Sequence, residues 1–254
     1  MFKLLIKISK SHPLFFLLAN YLAEKYLITS GEHYNILKFL KIEKPIIIDV
    51  GGSVGESIHK FLKINPNCKI FSFEPIPIRY KTIKQNFLGK KNVRVFNYGI
   101  GKLGLVKIFT PKLFNFKFYS WSALSEKKLR IMLKRQCKNF HSKFKIIYQL
   151  VKIKTLNSTK IKPDIIKIDV EGEEFQVLKS SDKIIKKYKP IILLEFNNDF
   201  KKILNFFRKN CYHLYTINNK TLFKTNLPKS KELDNVAVNI VAIHKSKTKL
   251  VSFE

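Results

Sequence analysis

Three acidic positions stand where the residue types around them could do chemistry. Asp49 opens the glycine-rich stretch Asp49-Val50-Gly51-Gly52-Ser53-Val54-Gly55, Glu74 follows the apolar run KIFSF, and Asp169 with Glu171 closes the run PDIIKIDVEG. Glycines in such a turn let the backbone approach a ligand without a Cβ in the way. The helix that follows presents its N-terminus to the same place. A carboxylate at Glu74 can accept two hydrogen bonds from a ribose diol. The pattern therefore reads as a site for an adenosine-bearing cofactor, with Asp49, Gly51, Gly52, Ser53, Gly55 and Glu74 as its binding residues. Gly51-Gly52-Ser53-Val54-Gly55-Glu56 departs from the GxGxxG turn of nicotinamide sites. An acid two residues before the first glycine can engage the loop and an amino group, which favours S-adenosylmethionine (SAM).

With a methyl donor in that site, the run ending at Asp169 holds the catalytic candidates. Lys167, Asp169 and Glu171 are spaced by two and share one face of a continuing strand. Asp169, at the carboxyl end, can take the proton of a hydroxyl acceptor or hold the cofactor, and Glu171 is the second base candidate. Lys167 interrupts an apolar strand. A buried ammonium needs a partner, so it either pairs with Asp169 or Glu171 or positions substrate. Asp169, Glu171 and Glu195 together could ligate a hard cation, but carboxylates at such an edge are common without one, and no metal is expected. The six histidines show no paired metal spacing; among them His141 is the one candidate for a base.

The elements that must position these residues follow from apolar patterning. Residues 45–50, 69–73, 93–97, 163–170 and 189–196 are short, nearly continuous apolar runs, as expected of strands buried on both faces. Helical spacing covers 56–64, 77–88, 173–186 and 199–209, and runs 212–217 and 236–244 read as two last strands without a long helix between them. The expected fold is α/β: a Rossmann-like, doubly wound, mostly parallel seven-stranded sheet with an antiparallel edge hairpin. Residues 1–44 form an expected N-terminal helical extension and 45–254 one domain. That domain carries a basic, aromatic-rich insertion at about 105–155, expected as a cap over the site. Its rings Phe109, Phe114, Phe116, Phe118, Tyr119 and Trp121 are candidates to line an acceptor pocket. Ser125 is the expected N-cap of a helix over 126–139.

Composition narrows the classes. The 254-residue chain carries 49 Lys and Arg against 18 Asp and Glu, a net +31. Such an excess usually points to a polyanion. Only five of the 49 are arginine, and alanine occurs only five times, the skew of an AT-rich genome. Arginine is what phosphate and base recognition selects for, so the lysine excess is weak grounds for a nucleic-acid partner. Three scattered cysteines, none in CxxC spacing, exclude a disulfide framework and fit a reducing, cytoplasmic compartment. The apolar run 14–23 is too short to span a bilayer, which needs about 20 residues. It reads as part of an amphipathic helix over 13–27 that packs on the domain or rests on a membrane surface.

The blocks IIIDVGGSVG, FSFEPIPIRYKTIKQN, TLN at Thr155–Asn157, DIIKIDVEGEEFQVLK and PIILLEF resemble, in order and spacing over residues 46–196, the FkbM family of class I SAM-dependent methyltransferases. The resemblance implies a Rossmann-like methyltransferase fold, SAM as cofactor, and O-methylation of a sugar, glycan or small metabolite. It also places Asn97 and Gly99 at the adenine edge. Gly52 stands where the family often has Ala, a conservative departure, and Asn157 where it often has Asp. The expected partners are a small-molecule or glycan acceptor and, peripherally, an anionic membrane, with no specific nucleic acid. The alternative, an RNA methyltransferase or RNA-binding protein using the basic surface, lacks support in two places. No D/N-P-P-Y/F pattern follows the fourth strand, and no cysteine follows proline. A non-catalytic binding module is disfavoured by the retained loop, Glu74 and Asp169.

Overall fold

The computed structural model describes residues 32–170, 172–196, 199–218, 221–224 and 238–251, together with Pro13, Phe15, Leu17, Leu18 and Leu22. A 3₁₀ turn, Glu32–Asn35, leads into a short helix α1 (Ile36–Phe39). The βα alternation then runs β1 (Ile46–Val50), α2 (Glu56–Ile64), β2 (Lys69–Phe73), α3 (Pro77–Asn86) and β3 (Val93–Phe96). Next come β4 (Gly99–Ile100), β5 (Gly104–Leu113), β6 (Phe116–Lys117), α4 (Glu126–Gln136) and β7 (Lys145–Lys154). The alternation resumes with β8 (Ile165–Ile168), α5 (Glu174–Ser180), α6 (Asp182–Tyr188), β9 (Ile191–Phe196) and α7 (Phe200–Lys209). It closes with β10 (Tyr212–Asn218), β11 (Thr221–Lys224) and β12 (Val238–His244).

The main sheet has the order β11-β10-β12-β9-β8-β1-β2-β3. β9, β8, β1, β2 and β3 are parallel, and β12 lies antiparallel to both β9 and β10. This is the doubly wound sheet with an antiparallel edge that the apolar runs imply. It has eight strands rather than seven, because β11 folds back on β10. Alternation along the central strands feeds two cores. Ile48, Val50, Ile166, Ile168, Phe71 and Phe73 face one side. Ile47, Ile165 and Ile70 face the other, where Tyr34, Ile36, Leu37 and Phe39 also pack. Residues 32–40, expected as part of an N-terminal extension, are thus built into the core of the sheet. The rest of the expected helix over 13–27 lies outside the described residues except for Pro13, Phe15, Leu17, Leu18 and Leu22, which are helical.

The helix expected over 173–186 is two helices. The Ser181 hydroxyl donates to the Val177 carbonyl at 2.7 Å, and α6 starts anew after it. A hydroxyl that bonds back to the preceding turn competes with the helical ladder.

The chain divides into two compact units, Met1–Thr29 with Leu105–Val151, and Ser30–Gly104 with Lys152–Glu254. The smaller contains most of β5, β6 and α4, and its strands join β7 in the order β4-β7-β5-β6. Its own core holds Leu113, Phe118, Leu129, Leu133, Phe140 and Phe144. Ser125 caps α4, its hydroxyl accepting the Lys128 N–H at 3.3 Å. Of the aromatics expected to line a pocket, Phe118 is fully buried, and Phe109, Phe116 and Trp121 pack against the same cluster. They are core residues, whereas Phe114 is exposed. His141 is half-buried, with Nδ1 3.1 Å from the Lys138 carbonyl.

Candidate active site

The strand order reverses between β1 and β8. From β1 the chain moves outward to β2 and β3, then returns to β8 and β9 on the other side. A crevice beyond the carboxyl ends of the strands at such a switch point is where open α/β sheets bind ligands.

Parallel register determines what lies just below that crevice. Ile47 pairs with Ile70 and Ile165, an apolar row across three strands. Two residues further on, Asp49 pairs with Ser72 and Lys167. Since side chains alternate, this polar row stands directly above the apolar one. Asp49 is fully buried. Its Oδ2 accepts the Ser72 hydroxyl at 2.7 Å, and its Oδ1 accepts the Ser57 hydroxyl of α2 at 2.9 Å. Lys167 Nζ lies 3.3 Å from Asp49 Oδ1 and 3.5 Å from Asp169 Oδ2, and it donates to the Gly51 carbonyl at 2.7 Å. Burial alone disfavours this ammonium, but Asp49 and Asp169, with Tyr34, hold it charged well above the ordinary lysine range. Asp49 therefore supports the glycine loop from within the sheet through Lys167. Its carboxylate is enclosed by Ser57, Ser72 and Lys167 in the buried layer beneath the loop.

The loop above this row alternates into left-handed backbone at Gly51, Ser53 and Gly55 (φ 83°, 55° and 100°). A Cβ on Gly51 would collide with the Asp169 carbonyl oxygen. A Cβ on Gly52 would collide with the Ser72 hydroxyl and come within 2.9 Å of Ile83 Cδ1. Glycine at position 52, read as a conservative departure, is therefore required by the Ser72–Asp49 hydrogen bond beneath it. Glu74, buried at the end of β2, accepts the Ser53 N–H on Oε2 (2.9 Å) and the Ile76 N–H on Oε1 (2.8 Å). Burial pushes its carboxyl up to about 7; the Ile76 N–H, the Arg79 guanidinium and the Ser53 N–H oppose the rise, and Asp49 adds to it. Arg79, itself buried, donates to the Ser53 hydroxyl. Nothing in its spacing marked Arg79 beforehand. Asn97 donates through Nδ2 to the carbonyls of Glu74 and Pro75 at 3.1 and 3.2 Å, and so fastens the segment after β2. Gly99 is where β4 passes Ile153, whose Cδ1 would lie 2.6 Å from a Cβ there.

Asp169 N–H bonds to the Val50 carbonyl at 3.1 Å, so the end of β8 is tied to the end of β1 beside the loop. Its carboxylate is about 40% exposed, against 5% for Lys167 and none for Asp49. Of the three charged groups in contact, Asp169 is the one open to a ligand. Glu171 lies outside the described residues, as does the side chain of Glu195. No group of three or more His, Cys, Asp or Glu placed to hold a metal occurs among the described residues.

The profile of the family described as "Methyltransferase FkbM domain" matches residues 49–214, from the acid of the glycine loop to β10. The chain belongs to the FkbM methyltransferase family. It is 29% identical over 68 residues to the 2-O-methyltransferase NoeI of Sinorhizobium fredii, a stretch covering 27% of this chain and 28% of that one. The chain thus spans little more than a quarter of the curated relative it matches. The fold is also that of the FkbM methyltransferase structure from Methylobacillus flagellatus, with a TM-score of 0.50 and 13% identity over 84% of this chain and 48% of that one.

The second departure from the FkbM pattern has a structural role. Asn157 Oδ1 accepts the Ile184 N–H at 3.2 Å and caps the first turn of α6. Two groups near Asp169 were invisible in the spacing. Glu174, buried in the first turn of α5, accepts the Gly172 N–H on Oε1 at 2.9 Å, while among the described residues its Oε2 meets no hydrogen-bond partner. Burial raises its carboxyl, against the N–H groups of Gly172, Glu174 and Val170; Asp169 adds to the rise. His33, in the turn before α1, is 8% exposed, its ring is tilted against that of Tyr34 with centroids 4.1 Å apart, and among the described residues its Nδ1 meets no hydrogen-bond partner. Burial pushes its imidazole down to about 4; Lys167 acts in the same sense and Asp169 opposes.

A base whose pKa falls on folding stabilises the fold above its unfolded pKa and loses that stability as pH drops toward the folded value. The window for His33 runs from about 6.5 down to about 4. Glu74, with its pKa raised, has the opposite slope: its contribution is present below the ordinary glutamate value and lost as pH rises through about 7. The two trends offset each other in the native protein. Subtracting the urea-unfolding stability of His33→Asn from that of the native chain isolates the histidine. The difference is expected to rise by about 2–3 kcal/mol from pH 4 to pH 7; a flat difference contradicts a neutral, buried His33.

Proposed function

We propose that the chain is a SAM-dependent methyltransferase acting on a hydroxyl of a sugar, glycan or small metabolite. The observation that carries this is the abutment of the glycine loop on Asp169. The loop's backbone at Gly51 lies against the Asp169 carbonyl, and the accessible Asp169 carboxylate, 3.5 Å from Lys167, belongs to the same residue. The donor set fits SAM. Glycine at 51 and 52 lets the loop backbone close on Asp169 and Ser72, and each Glu74 oxygen retains a lone pair for a ribose hydroxyl. Bound there, SAM supplies a methyl group on a sulfonium, open to in-line attack.

The chain's own part is positioning and proton transfer. Loop and Glu74 hold the donor, and holding donor and nucleophile in line supplies most of the acceleration. Asp169 accepts the proton of the attacking hydroxyl. Lys167, 3.5 Å from Asp169 Oδ2 and bonded to the Gly51 carbonyl, is a positioning residue that links this carboxylate to the loop. The name of the Sinorhizobium relative supports oxygen as the methylated atom.

Calorimetry is expected to show SAM and its demethylated product binding in the micromolar range; absence of both refutes the methyltransferase reading. The acceptor is tested by transfer from labelled SAM to a glycan extract, with RNA alongside. Asp169→Asn is expected to keep SAM affinity within about threefold and to lose about 10²–10⁴-fold in turnover. Undiminished turnover moves the base elsewhere, and label entering RNA alone replaces the hydroxyl-glycan reading.

A further inference from the structure

The smaller unit carries a basic surface with apolar side chains left bare. Between Leu105 and Val151 the chain has eleven Lys and Arg and a single acid, Glu126, a net +10. That acid is engaged by Arg130, which donates to its Oε1 from Nε and Nη2 at 2.9 and 2.7 Å. β5 and β7 are neighbours in their sheet. Lys107 Nζ sits 4.6 Å over the Tyr148 ring, and the Phe109 and Tyr148 rings are 6.1 Å apart. These contacts place Lys107, Phe109 and Tyr148 on one face of the sheet, and the two-residue period adds Leu105 and Leu150 to it. At one end Phe109 packs on the core beneath α4. At the other end the face is bare: Leu105 is 69% exposed, and Tyr148 and Leu150 are each 60% exposed.

Large apolar side chains left bare together on a soluble surface mark a binding site. Their companions decide the partner. Nucleic acid is read through arginine forks and stacked rings, yet nine of the eleven cations are lysines, and two of the three bare side chains are aliphatic. Aliphatic and aromatic side chains beside Lys107, on a unit of net +10, match the interface of an anionic bilayer. There the apolar groups enter the headgroup boundary while ammonium groups meet lipid phosphate. We propose that the exposed end of the β5–β7 face is a docking surface for an anionic membrane, with Leu105, Tyr148 and Leu150 as its inserting residues and Lys107 as one of its charged contacts. The site is independent of the methyl-transfer reading and stands if that reading fails.

Flotation of the full chain tests it, with phosphatidylglycerol-rich vesicles against phosphatidylcholine vesicles at about 0.15 M salt. At least about tenfold more protein is expected on the anionic vesicles. The triple variant Leu105→Ser, Tyr148→Ser, Leu150→Ser is expected to reduce that uptake by about tenfold or more, with its thermal melt as a check on folding. Lys107→Glu, a surface change that leaves the apolar residues in place, is expected to weaken uptake about fivefold or more. Equal uptake by neutral vesicles, or native uptake in both variants, overturns the proposal. So does tighter binding of an RNA oligonucleotide at the same salt with vesicle uptake absent.

Discussion

Lys167→Met is expected to destabilise the fold by about 3–5 kcal/mol, because it removes one partner of a buried ion pair and strands the other. Asp49 is fully buried, and among the described residues its oxygens meet the Ser57 and Ser72 hydroxyls besides Lys167. The Gly51 carbonyl loses its 2.7 Å donor in the same step, so the glycine loop loosens together with the sheet end beneath it. Urea unfolding measures the loss, and SAM affinity is expected to fall with it. The double variant Asp49→Asn, Lys167→Met supplies the control. An asparagine keeps the shape and can still bond both serines without a buried charge. It is expected to recover about half or more of the loss, since the penalty belongs to the stranded carboxylate rather than to the missing attraction. A Lys167→Met chain within about 1 kcal/mol of native stability contradicts the polar row as the support of the loop.

Gly51→Ala is expected to abolish detectable SAM binding and to cost about 3 kcal/mol or more in stability. Two penalties combine. The left-handed backbone at φ 83° costs a non-glycine residue about 1–2 kcal/mol, and the added Cβ collides with the backbone oxygen of Asp169, which no rotamer change can move. Gly89→Ala separates the two. Gly89 has a nearly identical φ of 80°, but nothing lies within 4 Å of its would-be Cβ. It should cost only about 1 kcal/mol and leave SAM affinity unchanged. Gly55→Ala belongs between them, because its Cβ meets the Phe87 ring, a side chain able to shift. If Gly51→Ala behaves like Gly89→Ala, the loop does not rest on the end of β8 as described.

These effects could not be predicted from the chain alone, although their components were visible in it. The glycine loop, the acid that ends β2 and the acid after β8 were readable because each is announced by its immediate neighbours: an apolar run, then a carboxylate, then a turn. The smaller unit was less legible. β5 contains Gly104, Lys107, Pro111 and Lys112 among its apolar residues, so neither its period nor its length distinguished it from an irregular insertion. Phe109, Phe116, Phe118 and Trp121 resembled a ligand pocket until their packing in the cluster with Leu129 and Leu133 showed them to be core.

Lys167 shows where local reading stops. A lysine within an apolar strand demanded a partner, and Asp169, two residues away, could be named from spacing. Asp49, 118 residues earlier, could be paired with it only through parallel register across β1 and β8. His33 and Glu174 are similar cases. Each is an ordinary polar residue in its own stretch and becomes significant only when the fold buries it near Asp169. The amino-acid sequence by itself determined the parallel strands of the main sheet and the glycine loop, because periodicity and turn chemistry act between residues a few positions apart. The tertiary structure alone decided which carboxylate is walled in, which stays open and which ammonium holds them, because desolvation and Coulomb attraction depend on distances in space that register and packing set.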